Sequence, residues 1–491
     1  MPTPIRVHPS HPKLFEFRGR PLVLVTATEH YGAVMNRPFR FERYLADAAE
    51  KGITLTRLFV LFRELQAPTN PYSTCKPESP DYVAPFLRTG PGTAADGQPR
   101  FDLDRPNPEF FDRLHAFLGL AAELGIIVEL TLLSNTYAPQ IWSLNPLHHA
   151  NNVNGLPEVP WQEYLTQRHP ALFARQAAHV RRLVEETRRY DNLIYEICNE
   201  PGGWEDKPGH PTRQEVNDWQ RALAALIREA DDPAQPHLVA GQEAFCYEPW
   251  EQGTDRSADE MPLDVVNVHP LPGTTLRGHS YDLGAFMSKQ LRLRALRDFC
   301  LAAYALPRPV NLDEDNVASQ YKDAAGWTIH RQRAWTTLLS GAHYDYIDFS
   351  ILPYLETGTP ASQRAIRSWI GHLARFIHSV DLLRARPLSD LLHGQPEHTL
   401  ASVLAVPGED YCLYLADERE LEVPGAGEPI RGEIVLDLPP GEYLAACYSP
   451  ETGLYSPAAP LAGGAGTRLG LPEFQHDLVV RIRKDSPSLS C

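Results

Sequence analysis

Asn192-Leu193-Ile194-Tyr195-Glu196-Ile197-Cys198-Asn199-Glu200-Pro201-Gly202-Gly203-Trp204 decides how the rest of the chain is read. Its short apolar run, rich in β-branched and aromatic types, predicts a buried strand entered from a helical segment. Pro201 lacks the N–H that a central ladder needs, so the strand stops at Asn199-Glu200. A carboxylate is left at the C-terminal lip of a parallel strand, with an amide before it and an indole four residues on. In a (β/α)8 barrel that lip carries the chemistry. A surface ion pair at a strand end is the plainer alternative.

Working outward, residues 170–190 form the amphipathic helix that feeds this strand, and 212–230 form the helix that follows it. Upstream, buried strands at 22–27, 54–62 and 126–133 alternate with helical patterns at 39–51 and 108–124. Those helices run into Gly52 and Gly125, as left-handed caps require. Downstream, strands at 237–242, 264–269, 309–315 and 344–351 alternate with helical patterns at 283–304, 327–340 and 362–379. Eight strand–helix units in tandem predict an α/β fold, a closed (β/α)8 TIM barrel. No Gly-x-Gly-x-x-Gly follows the first strand, so a dinucleotide fold lacks its signal. Residues 13–21 read as a hairpin with an Arg-Gly turn over the barrel base. Residues 63–107 and 138–169 show little periodicity, and loops that long inside a domain usually serve function. After about residue 385, short strands are separated by Pro-Gly, Gly-Ala-Gly and Pro-Pro-Gly turns. They predict a small all-β sandwich. The expected division is a barrel over 1–385 and an accessory β-domain over 386–491.

A chain of 491 residues has room for both. A net charge of −16 argues against a nucleic-acid partner, which needs a basic face. No apolar run is long enough to cross a bilayer, so no membrane partner is expected. The first residues lack a basic-then-apolar leader, and the seven cysteines are odd in number with no Cys-x-x-Cys pair. A cytoplasmic, reduced protein is the expectation. A homo-oligomer is compatible with these features.

A second acidic candidate lies in Pro309-Val310-Asn311-Leu312-Asp313-Glu314-Asp315-Asn316. Three adjacent acids repel one another, so one facing the barrel axis makes more sense than a purely structural trio. Alternation puts Asp313 and Asp315 on the face opposite Glu314. Glu314 is the choice and Asp313 the alternate, with a solvated acidic loop as the plain reading.

A Glu between Asn and Pro at the end of strand four, with a second Glu ending strand seven, resembles the retaining (β/α)8 glycoside hydrolases of the clan containing cellulase-like family 5 enzymes. The resemblance covers roughly residues 13–380 as architecture, with motif identity at 199–201 and 314. It implies cleavage of a short imported glycan or glycoside, Glu200 being the acid/base and Glu314 the nucleophile, without cofactor or metal. Carboxyl groups about 5–5.5 Å apart give retention and about 6.5–9.5 Å inversion. Burial and the neighbouring anion are expected to keep Glu200 protonated while Glu314 stays ionised. The resemblance also implies that Arg57 hydrogen-bonds the nucleophile, that Asn199 contacts the sugar 2-hydroxyl, and that His269 stands near the nucleophile. A fold-stabilising arginine, a strand-end cap and a satisfied core histidine are the respective alternatives. His30, Tyr31, Asn135 and Tyr137 at lips one and three are candidates for the first subsite. Trp204, with Trp142, Trp161, Trp250 and Trp327, is a candidate for stacking on sugar, or for core.

Two features stand apart from the family pattern. Strand eight reads Tyr344-Asp345-Tyr346-Ile347-Asp348-Phe349-Ser350 where family 5 enzymes usually offer a Trp. The C-terminal β-domain looks like that of bacterial apiosidase-like enzymes. The two long insertions are expected to wall one end of the groove and favour exo-action. The rivals are a metal-dependent barrel hydrolase and a catalytically inactive carbohydrate-binding barrel. The first lacks its His-x-His on strand one and any His-Glu-x-x-His. The second would tolerate loss of one of the two carboxylates.

Overall fold

The computed structural model describes residues 3–29, 32–61, 81–204, 207–247 and 249–485. Eight parallel strands form the barrel: β1 (Val25–Thr28), β2 (Leu55–Phe59), β3 (Ile127–Ser134), β4 (Leu193–Asn199), β5 (Leu238–Gly241), β6 (Val265–Val268), β7 (Val310–Asp315) and β8 (His343–Ile347). They neighbour one another in the order β1-β8-β7-β6-β5-β4-β3-β2. Thr54 closes the seam between β1 and β2, its N–H donating to the Val25 carbonyl at 3.2 Å and its hydroxyl to that of Val23 at 2.8 Å. Each strand is followed by a helix: α1 (Phe41–Lys51), α2 (Pro108–Leu124), α3 (Pro170–Thr187), α4 (Arg213–Ala230), a single turn α5 (Asp255–Asp259), α6 (Leu293–Ala303), α7 (Ala324–Leu339) and α8 (Ile366–Ile377). Helices α1 and α2 stop at Gly52 and Gly125, both left-handed with φ of 78° and 75°.

The barrel base is plugged by the antiparallel strands Arg6–His8, His11–Phe17 and Arg20–Leu22, the last two turning at Arg18-Gly19. Ile5, Phe15 and Phe17 pack there on Leu55, Ile127, Ile194 and Val265 from the strand bottoms. At the opposite end, the connections after β4, β5 and β6 build a second sheet from Gly202–Gly203, Phe245–Tyr247, Trp250–Gly253, Gly273–Leu276 and His279–Tyr281. Periodicity does not announce this sheet, because its strands are short and interrupted by turns.

Two expectations need correction. The helix expected over 283–304 begins only at Leu293, after a left-handed Arg292. Its entry is fixed from outside: the Leu291 and Arg292 N–H groups donate to the Glu420 carboxylate at 2.6 and 3.0 Å. The expected structureless stretch 63–107 contains, in its described part, a hairpin of Phe86–Thr93 with Pro99–Pro106. Phe86 lies 5.5 Å from His179, and Asp104 pairs with Arg175, both in α3. This part packs on α3 and, through the bridge of Phe101 with Asn152, on the second insertion.

After α8 come two antiparallel sheets, one of six strands and one of three, so the barrel is followed by a β-sandwich. The sandwich packs on α7, in which every residue from Gly326 to Leu339 is buried. That explains a helix with no solvent face: one side meets the barrel, the other the sandwich. Trp335 stacks on Tyr414 at 5.5 Å. Arg331 forms two bonds to Asp477, at 2.8 and 2.9 Å, with both side chains 2% exposed. Asp477→Ala leaves that guanidinium buried without its partner and should lower stability by about 3–5 kcal/mol in urea unfolding. Replacing both partners by apolar residues should recover most of the loss, and equal instability of the double variant would contradict the account.

Candidate active site

The site is built where β4, β6 and β7 end. Glu200 follows β4 in a left-handed conformation, φ 48°, which a non-glycine residue adopts at a cost of about 1–3 kcal/mol. Three groups hold it there. The Asn135 amide and the Tyr247 hydroxyl donate to the Glu200 carbonyl at 2.9 and 3.0 Å, and the Asn135 N–H donates to the Asn199 carbonyl at 3.1 Å. Gly202 is required beside it, since a Cβ there would sit 1.9 Å from the Tyr247 ring.

Glu314 is also left-handed, φ 55°. Along β7 and β8, Leu312 opposes Tyr344 and Asp315 opposes Tyr346, so β7 carries one extra residue. This bulge overturns the expectation that Asp313 and Asp315 share a face. Asp313 points to the barrel axis with Arg57 and His269, whereas Asp315 points outward to Arg333 Nε at 2.6 Å and the Tyr344 hydroxyl at 3.0 Å. Glu314 reaches the axis beside Asp313, not opposite it.

One oxygen each of Glu200 and Glu314 and one nitrogen of His269 lie within 4.8 Å of one another. His269 Nδ1 is 3.2 Å from Glu200, its Nε2 is 3.3 Å from Asp313, and Glu314 is 3.9 Å away. Arg57, fully buried, donates to Glu314 through one terminal nitrogen, to Glu196 through Nε at 2.8 Å, and to Asn199 Oδ1 at 2.9 Å. The Asn199 amide donates onward to the Tyr137 hydroxyl at 2.7 Å.

The remaining sequence candidates separate. Asn135 has its amide on Glu200 and Tyr247 and its Oδ1 on the Thr136 and Tyr137 N–H groups, so it shapes the lip and has no end left for a first-subsite contact. Trp204 is half-buried, stacked on Tyr247 at 4.7 Å with the Lys207 ammonium 4.7 Å from its ring centre. It is a wall element, not an open platform. Trp142 and Trp327 are core, whereas Trp250 is 41% exposed beside Tyr247 and Phe286. His30 and Tyr31 lie outside the described residues. Sequence reading missed Tyr247, Glu196, Glu129 and Asp345. The last three could have been found as single acids inside otherwise apolar strands, and Tyr247 carried no such signal.

Charge is unevenly supplied. Burial tends to lower the His269 imidazole, but Glu314, Asp313 and Glu200 around it raise it to about 10. Burial pushes the Glu314 carboxyl up to about 7, against the pull of Arg57 and His269. Desolvation thus outweighs its two cations and works against the expectation that Glu314 stays ionised. Glu200, His269 and Glu314 have the donor types to hold a metal ion, as do Glu129, Glu196 and Asp313. The fit is poor, since Arg57 already bonds Glu314 and Glu196 and approaches Asp313 to 3.2 Å, so a cation would have to displace a fixed one.

Residues 42–334, more than half of the chain, match the family model described as Cellulase (glycosyl hydrolase family 5). No curated protein sequence matches. Among solved structures, one described as a glycoside hydrolase is 12% identical, covers 99% of this chain and 98% of its own, and has a TM-score of 0.60. A glycoside hydrolase family 5 structure from Bacteroides vulgatus ATCC 8482 is 14% identical, with 99% and 93% covered and a TM-score of 0.60. An endo-1,4-beta-mannanase from Rhizomucor miehei is 13% identical over 77% of this chain and 100% of its own, with a TM-score of 0.51. At these identities the likeness is one of fold, and in the first two it extends over barrel and sandwich together.

An unfolded Glu releases its proton near 4.5, and folded Glu314 only near 7. The stability it contributes is therefore full below about 4.5 and is lost as pH rises through about 7. Glu314→Gln should be more stable than wild type at pH 8, by up to about 3 kcal/mol, with the difference closing toward pH 4.5. Urea midpoints at the two pH values measure this, and a variant weaker than wild type at pH 8 would refute it.

Proposed function

Given that the chain belongs to glycosyl hydrolase family 5 and is a glycosidase, we propose that it cleaves a short glycan or glycoside with retention, Glu200 acting as acid/base and Glu314 as nucleophile. The observation that carries this is the approach of Glu200 and Glu314 to within 4.8 Å across the barrel mouth. That spacing favours direct attack over the wider gap that a water would need. In the first step the Glu314 carboxylate attacks the anomeric carbon while Glu200 gives its proton to the departing oxygen. In the second, Glu200 takes a proton from water, which displaces Glu314 from the sugar. Arg57 and His269 keep positive charge beside Glu314 for both steps. Asn199, bonded to Arg57 and Tyr137, is placed for the sugar hydroxyl next to the reacting carbon.

Exo-action is supported by the recess of the pair, Glu200 being 7% and Glu314 3% exposed. Product analysis of a labelled oligosaccharide tests it, with release of single end units expected. The reading extends to a barrel over 1–385, an accessory domain of apiosidase-like architecture over 386–491, and a cytoplasmic setting. Cys198, Cys300, Cys412 and Cys447 are free thiols, which suits a reducing compartment. No described helix is long and apolar enough to cross a membrane.

Purified protein assayed on a panel of aryl glycosides, β-mannosides and pentosides included, identifies the sugar. On the responding substrate, Glu314→Ala should lose about three orders of magnitude or more in kcat, with azide restoring turnover as a glycosyl azide. Undiminished turnover, or an inverted first product by NMR, would remove the assignment. Because Glu314 must be ionised to attack, kcat/KM should fall on the acid side with a midpoint near 7. A flat profile down to pH 5 would contradict that environment.

A further inference from the structure

Beneath the catalytic pair the barrel interior holds more acids than its cations can balance. Glu129 from β3, Glu196 from β4, Asp313 and Glu314 from β7 and Asp345 from β8 are all buried, and Glu200 stands above them. Facing them are Arg57 from β2 and His269 after β6. Asp313 shows how the balance is kept. Its Oδ2 is approached by Arg57 at 3.2 Å, by Asn267 at 3.3 Å and by His269 at 3.3 Å, while its Oδ1 meets no N–H or hydroxyl donor among the described residues. Neither oxygen of Asp345 meets one either. Thr26, opposite Asp345 in β1, is buried with a hydroxyl that reaches no partner, so β1 does not supply the missing donor.

One proton between Asp345 and Asp313 Oδ1 gives each of these two carboxyl groups a hydrogen bond. We propose that Asp345 is a neutral carboxylic acid that donates a hydrogen bond to Asp313, and is thereby a positioning residue for His269 and, through it, for Glu200 and Glu314. Two carboxyl groups in contact inside a protein share a proton because both cannot ionise. The proton belongs on Asp345 because Asp313 has the cations. Burial tends to raise the Asp313 carboxyl, but Arg57, His269 and a hydrogen bond from Asp345 bring it below the usual range. Burial, with the charges of Asp313, Glu129 and Glu314 against the pull of Arg57, pushes Asp345 well above the usual range. Fixed as an anion, Asp313 holds His269 Nε2 from below, which turns Nδ1 toward Glu200. The proposal adds a residue to the two-glutamate reading and rests on it only for its kinetic arm.

The test compares Asp345→Ala and Asp345→Asn in the full chain. Loss of the donor in Asp345→Ala leaves Asp313 Oδ1 without a hydrogen bond and frees the carboxylate that holds His269, which should lower kcat about tenfold. Asp345→Asn keeps a neutral donor and should restore it. Undiminished kcat in Asp345→Ala, or an equal loss in Asp345→Asn, would overturn the proposal. Independently of activity, the infrared difference between wild type and Asp345→Asn at neutral pH should contain the C=O stretch of a protonated carboxylic acid in wild type, and its absence would also overturn it. Should Asp345→Ala fail to fold, the turnover of Asp345→Asn and the infrared band decide. If Glu314→Ala proved active, the two-glutamate reading would fall while the infrared result still stood or failed by itself.

Discussion

A single guanidinium, that of Arg57, is the fixed charge on which the barrel mouth depends. It touches Glu196, Asp313, Glu314 and Asn199, and it is wholly buried. Two unit charges about 4 Å apart still interact by about 4 kcal/mol at the effective dielectric of a protein. Acids crowded around one arginine and one imidazolium therefore cannot all be ionised. Which acids the two cations and their neighbours touch decides the outcome. Asp313 lies against both cations and is held below the usual carboxylate range, Glu129 and Asp345 are pushed well above it, and Glu314 sits between at about 7. If Glu314 is the nucleophile, as proposed, a charge only marginally favoured in the free protein suits it to giving that charge up to a covalent bond.

The architecture was legible because burial leaves a strong mark on sequence. Runs such as Ile194–Ile197 and Ile127–Leu133 have to be covered on both faces, and their alternation with helical spacing leaves few solutions besides a barrel. A polar residue within such a run faces the axis unless the helix layer supplies a buried partner, as Arg333 does for Asp315. Arg57 was picked out through the family resemblance. An axial reading of Glu129, Glu196, Asn267 and Asp345 would have found the layer beneath the site.

Other features were not legible, each for a physical reason. Strand alternation misplaced Asp313 because it assumes one residue per step, and a bulge breaks that count. The left-handed turns at Glu200 and Glu314 are invisible in composition, since strain of this kind is upheld by distant groups. For Glu200 these are Asn135 and Tyr247, which come from the connections after β3 and β5. Tyr247 belongs to a sheet whose strands run two to four residues each, too short for periodicity to register. Trp204 looked like an open platform because sequence does not reveal that another ring already lies on it.

The sandwich domain is tied to the chemistry by the same kind of paired charge. Arg333 and Arg331 are two residues apart on α7 and are anchored in opposite directions. Arg333 bonds Asp315, the residue after Glu314, and Arg331 bonds Asp477 in the last strand of the sandwich. Neither bond is open to solvent, so neither yields to water. Helix α7 is thus clamped between the strand that carries Glu314 and a domain that touches no reacting atom. The bulge that brings Glu314 to the axis has Asp315 as its outer foot, and the clamp keeps that foot turned away. On this view the C-terminal domain helps preserve the irregularity at Glu314, one of the two, with that at Glu200, that set the carboxylate spacing.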